Sequence, residues 1–202
     1  MGDTAEGGLV KPFKKRRRGG MYAVFESAEA DMLCNLAGQL VELLRDRNGN
    51  DESSADPLFA QVGMGGPVLP PEDPVLKRLL PDAYLDNPED AAEFRRFTEQ
   101  SLTSAKVRNA ETLIGSLVDG GFSFDESERT DDKIEVELDP EAVQAWLRSL
   151  TDIRIALAVR LGIDDDDDVF LVAASGDEAT QAMGQIYDWL GFVQESLVTA
   201  LG

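Results

Sequence analysis

"DPEAVQAWLRSLTDIRIALAVRLG", residues 139–162, decides the class of fold. Asp139 before Pro140 reads as a helix start: the carboxylate caps free amides, and proline loses no hydrogen bond at the first helical position. Gly162 supplies the stop. Between them Val143, Trp146, Leu147, Leu150, Ile153, Leu157 and Leu161 recur every three or four residues, which places them on one helix face. Ile155 and Val159 add a second apolar face, so this helix is predicted to be central. The second face is also where a homodimer is expected to form.

Arg154 stands inside the apolar stripe, and Gln194 stands inside the stripe of the last helix. A buried charge without partners is costly. A buried or half-buried polar link between the two helices is therefore predicted, with Arg154 and Gln194 in it and Asp188 or Glu195 within reach. The alternative is that Arg154 buries only its stem and carries the guanidinium out to water.

The same periodicity extends outward. Residues 177–201 carry Met183, Ile186, Tyr187, Leu190, Val193, Leu197 and Leu201 on one face. Ser27 caps a helix predicted to run to about Asp46, with Leu33, Leu36, Ala37, Leu40, Val41 and Leu44 inward. Asn87-Pro88-Glu89-Asp90 starts another, stopped by Gly120-Gly121. Its apolar face drifts after Phe94, Phe97 and Leu102, so a kink is expected near residues 101–104. "PVLKRLL" is a short helix before Pro81. "MYAVFE" (21–26), short, aromatic and β-branched, reads as a strand; "KIEVEL" (133–138) alternates Ile134, Val136 and Leu138 with charge, reads as a second, and the two are predicted to pair. "VFLVAAS" (169–175) reads equally as strand or helix, and "DDDDD" (164–168) reads as a solvated loop. Residues 48–73, rich in Gly, Pro, Ser and Asp, read as a flexible loop. The expectation is a mainly α protein: a bundle of about four main helices with a small two-stranded β element. It forms a single domain over 21–202, behind a basic flexible arm over 1–20.

The charge is uneven. The chain holds 39 acidic and 19 basic residues. Six of the basic ones, Lys11, Lys14, Lys15, Arg16, Arg17 and Arg18, lie in the arm, leaving 13 basic against 37 acidic residues after residue 20. Such a body repels nucleic acid and favours basic protein partners, although solubility alone also rewards it. The arm is suited to non-specific contact with phosphate or an acidic surface, or is simply a solvated tail. No recognition helix carries basic charge, so sequence-specific DNA binding is not expected.

The chain has no histidine and one cysteine, Cys34. Serine–histidine and cysteine–histidine catalysis are excluded, as are histidine metal motifs. There is no phosphate-binding glycine loop. No enzyme activity, metal or cofactor is expected; a carboxylate-based enzyme would need a convergent polar pocket. No apolar run approaches a membrane span, there is no secretory signal, and one thiol fits a reducing cytoplasm. Cys34 lies at the flank of its helix's apolar face. Its two readings are a small buried hydrophobe, or a thiol that is oxidised or pairs with a partner's cysteine. Asp31 and the acidic body disfavour a ready thiolate.

Four stretches, "KKRRRGGMYAVFESAEADML" (14–33), "RLLPDAYLDNPEDAAEFRRFTE" (78–99), "AWLRSLTDIRIALAVRLGI" (145–163) and "IYDWLGFVQESLVTAL" (186–201), together resemble an actinobacterial family across nearly the whole chain. The family, long described only as a domain of unknown function, is that of the AosR oxidative stress transcriptional regulators. The resemblance implies a cytoplasmic, mostly helical regulator that associates with a stress-type extracytoplasmic-function sigma factor or RNA polymerase. It further implies redox sensing through a closely spaced cysteine pair. Cys34 has no second cysteine in this chain, so that intramolecular disulfide cannot form here. The alternative is a non-redox structural or adaptor bundle that binds a basic protein partner.

Overall fold

The computed structural model describes residues 11–16, 20–49, 69–125, 127 and 133–202. Its described part is mainly helical, with six helices and one three-stranded antiparallel sheet. In chain order the elements are β1 (Lys11–Lys15), β2 (Met21–Glu26), α1 (Ser27–Gly49), α2 (Pro74–Leu79) and α3 (Pro88–Asp119). They continue with β3 (Lys133–Leu138), α4 (Pro140–Leu161), α5 (Asp166–Ala173) and α6 (Glu178–Leu201). The loop expected at about 48–73 falls largely on residues 50–68, outside the described part.

The two predicted strands pair as expected. β2 and β3 run in one unbroken register from Met21 opposite Leu138 to Glu26 opposite Lys133. Alternation decides which face is buried. β3 buries Ile134, Val136 and Leu138 and exposes Lys133, Glu135 and Glu137. The two-stranded expectation is corrected by a third strand. β1, drawn from the stretch read as an arm, pairs with the other edge of β2, with a break in register between Lys11 and Lys14. Its cause is Phe13, which is buried edge-on against Phe25 at 6.0 Å and Trp146 at 5.7 Å between ring centres. Pro12 is tolerated because β1 is an edge strand and needs fewer amide donors. Gly20, just before β2, has φ 85°, and a Cβ there would stand 2.6 Å from the Leu138 carbonyl oxygen.

The starts expected at Asn87 and Asp139 form as predicted, and Ser27, expected as a cap, is the first residue of α1. Asp73, Asn87, Asp139 and Asp177 each accept hydrogen bonds from amides of the turn they cap. α1 extends three residues past the expected Asp46. α3 continues as one helix through residues 101–104, and residues 169–173 of the stretch read equally as strand or helix are helical, forming the end of α5. α5 begins inside the acidic run read as a loop: Asp168 accepts from the amides of Asp164 and Asp165 and so closes the turn. α4 is central, as its two apolar faces predicted, and touches α1, α2, α3 and α6. A continuous core joins Trp146, Phe25, Leu33, Leu44, Leu113, Leu150 and Leu190, all essentially inaccessible to solvent. Ile155 and Val159 pack half-buried against that core, so their apolar area is used in large part within the chain. Among the described residues no helix is long and apolar enough to cross a membrane.

Candidate functional site

The first half of α3 is folded inside out. The side facing the protein is Ala91, Arg95, Glu99 and Thr103, a four-residue repeat that is three-quarters polar. Only past residue 107 does the buried side become aliphatic, with Val107, Ala110, Leu113 and Leu117. Phe94, Phe97 and Leu102, read from the sequence as the inward face, are instead 44%, 48% and 41% exposed. The drift that predicted a kink is this exchange of faces along a continuous helix.

The polar side is anchored by a chain of charges. Glu99, 3% exposed, accepts from Arg47 Nε of α1 at 2.7 Å through Oε1. Its Oε2 lies 3.7 Å from Arg95 Nε. Arg95 reaches Asp82 in the segment before α3. Arg47 also donates to the Leu69 carbonyl at 2.6 Å. Among the described residues, two guanidiniums thus face two carboxylates in a cluster that ties α1, α3 and the segments at 69 and 82 together. Sequence reading missed it because the i, i+4 spacing of Arg95 and Glu99 is common on exposed helices.

Over this floor lies an apolar surface. Tyr84 and Phe94 meet edge-on with centres 6.0 Å apart, Leu85 is 88% exposed, and Phe97 is one turn along from Phe94. Large apolar side chains gathered on a surface mark a contact site more often than isolated ones do.

The predicted inter-helix link forms in part. Arg154 Nη1 donates to Gln194 Oε1 at 2.9 Å, and Gln194 Nε2 donates to Thr151 Oγ1 at 2.7 Å. The guanidinium also lies over the Tyr187 ring, 4.8 Å from its centre. Asp188 and Glu195 stand exposed. A second, unpredicted polar pair joins α3 to α4: Lys106 Nζ contacts Asp152 Oδ1 at 2.6 Å, with both side chains largely buried. Burial pushes the Asp152 carboxyl up from its ordinary value, and the Lys106 ammonium only partly offsets this.

Cys34 is buried in α1, with 3% of its surface exposed. Of the basic cluster, Lys14, Lys15 and Arg16 are exposed on and just after β1, and Lys11 begins that strand. Arg16 contacts Glu137 at 2.7 Å and lies over the Tyr22 ring. Arg17 and Arg18 lie outside the described residues.

A helical body built round one central helix, with a small three-stranded sheet and a net acidic sequence, defines the class. The chain belongs to the family described as a domain of unknown function, DUF2017, whose model matches residues 10–201. It is 32% identical over 187 residues to the oxidative stress regulator AosR of Mycobacterium bovis and of Mycobacterium tuberculosis strain H37Rv, covering 86% of this chain and 78% of theirs. It is 30% identical over 187 residues, with the same coverage, to the putative oxidative stress regulator AosR of Mycobacterium leprae. The resemblance of the four quoted stretches is thus confirmed. No solved structure matches the chain.

Proposed function

We propose that this protein is a cytoplasmic regulator of oxidative-stress transcription that acts by contact with a stress-type sigma factor or RNA polymerase. The regulatory role comes from the relatives' names. The protein-contact mechanism is carried by the exposed aromatic side of α3: Phe94 and Phe97 are held outward by a polar helix face that the fold buries at a cost. A chain with 39 acidic against 19 basic residues also complements the basic surfaces of DNA-binding proteins. Affinity purification from oxidant-treated and untreated cells tests the proposal, comparing wild type with the Phe94→Ser/Phe97→Ser double variant. Wild type should enrich a sigma factor or polymerase and the double variant should lose it. Enrichment of neither by wild type defeats the reading.

Burial of Cys34 favours a second reading, an adaptor with no redox response of its own. A thiol closed to solvent in an acidic chain is poorly placed to react. Under that reading Cys34→Ser keeps the same partners in both conditions, whereas a redox switch through this thiol makes the two conditions differ in wild type alone.

A further inference from the structure

A groove of about 370 Å³ lies between α1, α2 and α4 and shares no lining residue with the aromatic side of α3. Leu36, Leu40 and Leu43 of α1 form one wall, Ile153, Ala156 and Leu157 of α4 the other, and Val75 of α2 an end. Its volume lies within the range of about 300–1,000 Å³ typical of ligand sites. The long apolar walls are two helix surfaces, the form of groove into which a third helix lays an apolar stripe.

Charge at the mouth selects the occupant. Glu42 and Asp46, one turn apart on α1, stand exposed on the rim, and neither has an ion-pair partner among the described residues. The arginines nearby are already engaged. Arg160, on the opposite rim, contacts Asp73 at 2.8 Å, and Arg45 and Arg47 are held by Glu111 and Glu99. Asp73 is doubly committed, because it also caps α2 through the amides of Val75 and Leu76. Burial alone would raise its pKa, but the Arg160 contact and the two amides outweigh that and hold it below the ordinary value. The groove therefore offers an apolar floor and two uncommitted carboxylates on one side.

We infer that this groove docks an amphipathic basic helix of a protein partner, with aliphatic side chains in the floor and lysine or arginine over Glu42 and Asp46. The inference rests on the protein-contact reading and adds a second, chemically different contact to it. Such a helix reads as apolar anchors spaced three and four residues apart, flanked by basic residues.

The probe is a fluorescently labelled synthetic peptide of leucine and lysine in an amphipathic helical repeat, titrated with the full chain. Three variants separate the groove from bulk charge: Glu42→Lys/Asp46→Lys at the rim, Ala156→Trp filling the floor, and Asp188→Lys/Glu195→Lys as an equal change of charge on exposed positions of α6. The rim variant is expected to weaken binding about tenfold or more and the α6 variant less than about threefold, since a close charge pair outweighs a screened distant one. Ala156→Trp is expected to weaken binding at unchanged net charge, with a thermal melt reporting its folding. Equal losses from the rim and α6 variants would mean general attraction to an acidic surface and overturn the proposal. So would a folded Ala156→Trp variant that binds like wild type, or a concentration-dependent dimer that Ala156→Trp dissolves, which would assign the groove to a second copy of this chain. Each of these results leaves the Phe94/Phe97 experiment unaffected, so the groove can fail while the protein-contact reading stands.

Discussion

Arg154 and Gln194 meet at 2.9 Å between α4 and α6, each embedded in its helix's apolar stripe. The glutamine does for the arginine what a carboxylate was expected to do, and it passes the bond on to Thr151. The Tyr187 ring covers the guanidinium and gives its charge a second contact. Replacing Gln194 by Leu leaves Arg154 facing an apolar side chain. A hydrogen bond to a charged group contributes about 1.5–3 kcal/mol, and the half-buried setting brings the expected loss to the lower end. Replacing both residues by Leu should cost less than the sum of the single changes. Chemical denaturation of the double-mutant cycle measures this coupling, and strict additivity would show that the bond contributes nothing.

Phe13 is the second test. It is the one aromatic residue in a lysine- and arginine-rich stretch, and it fills the space between Phe25 and Trp146. Phe13→Ala should cost about 3–5 kcal/mol, the usual range for a large aromatic lost from a core. Lys14→Ala, on the opposite face of the strand and exposed, should cost within about 0.5 kcal/mol. A stretch behaving as a solvated tail would show no difference between the two by thermal unfolding.

These two sites show where sequence was informative. Periodicity located α4 and α6, because their apolar residues repeat over many turns, and the cap Asp139 marked the start of α4. The pairing of β2 with β3 was legible from alternation. β1 was hidden because a single phenylalanine among cations produces no alternating pattern, and only a distant tryptophan makes it a core residue. The faces of α3 were misread for a related reason. Hydrophobicity assigns Phe94 inward, but Arg47 and Asp82 lie far away in sequence and supply the partners that let Glu99 and Arg95 be buried instead. The candidate site is thus a product of long-range pairing, which no local pattern records.

The Lys106–Asp152 pair gives a pH signature with a definite sign. Burial holds the folded-state pKa of Asp152 above its ordinary value of 3.8. Its favourable contribution is therefore complete below about 3.8 and is lost as pH rises through the raised folded value. Asp152→Asn removes this dependence. The stability of the variant relative to wild type should improve as pH rises through that window and then level off. Paired urea titrations across the acid range measure it, and a difference that moves in the opposite direction would contradict the burial-dominated shift. Lys106→Met at neutral pH should destabilise by about 3 kcal/mol, because it leaves the buried carboxylate without its partner.

The inverted half of α3 makes the least intuitive prediction. By hydrophobicity, Phe94 and Phe97 should matter to the fold and Glu99 should not. Their exposures of 44%, 48% and 3% reverse that order. Glu99 carries the contact that holds Arg47, and Arg47 in turn holds the Leu69 carbonyl. Glu99→Leu therefore leaves Arg47 with an apolar neighbour in a largely buried place, and the expected loss is about 3 kcal/mol or more. Phe94→Ser/Phe97→Ser removes the edge-on contact with Tyr84 and the buried part of two half-exposed rings, so its loss should stay at about 2 kcal/mol, below that of Glu99→Leu. The double variant should also be less prone to self-association, since it erases exposed apolar surface. Equilibrium unfolding of the two variants side by side decides the matter. If the phenylalanine variant proves the more damaging, α3 packs with the opposite face inward and the aromatic surface is core rather than contact site.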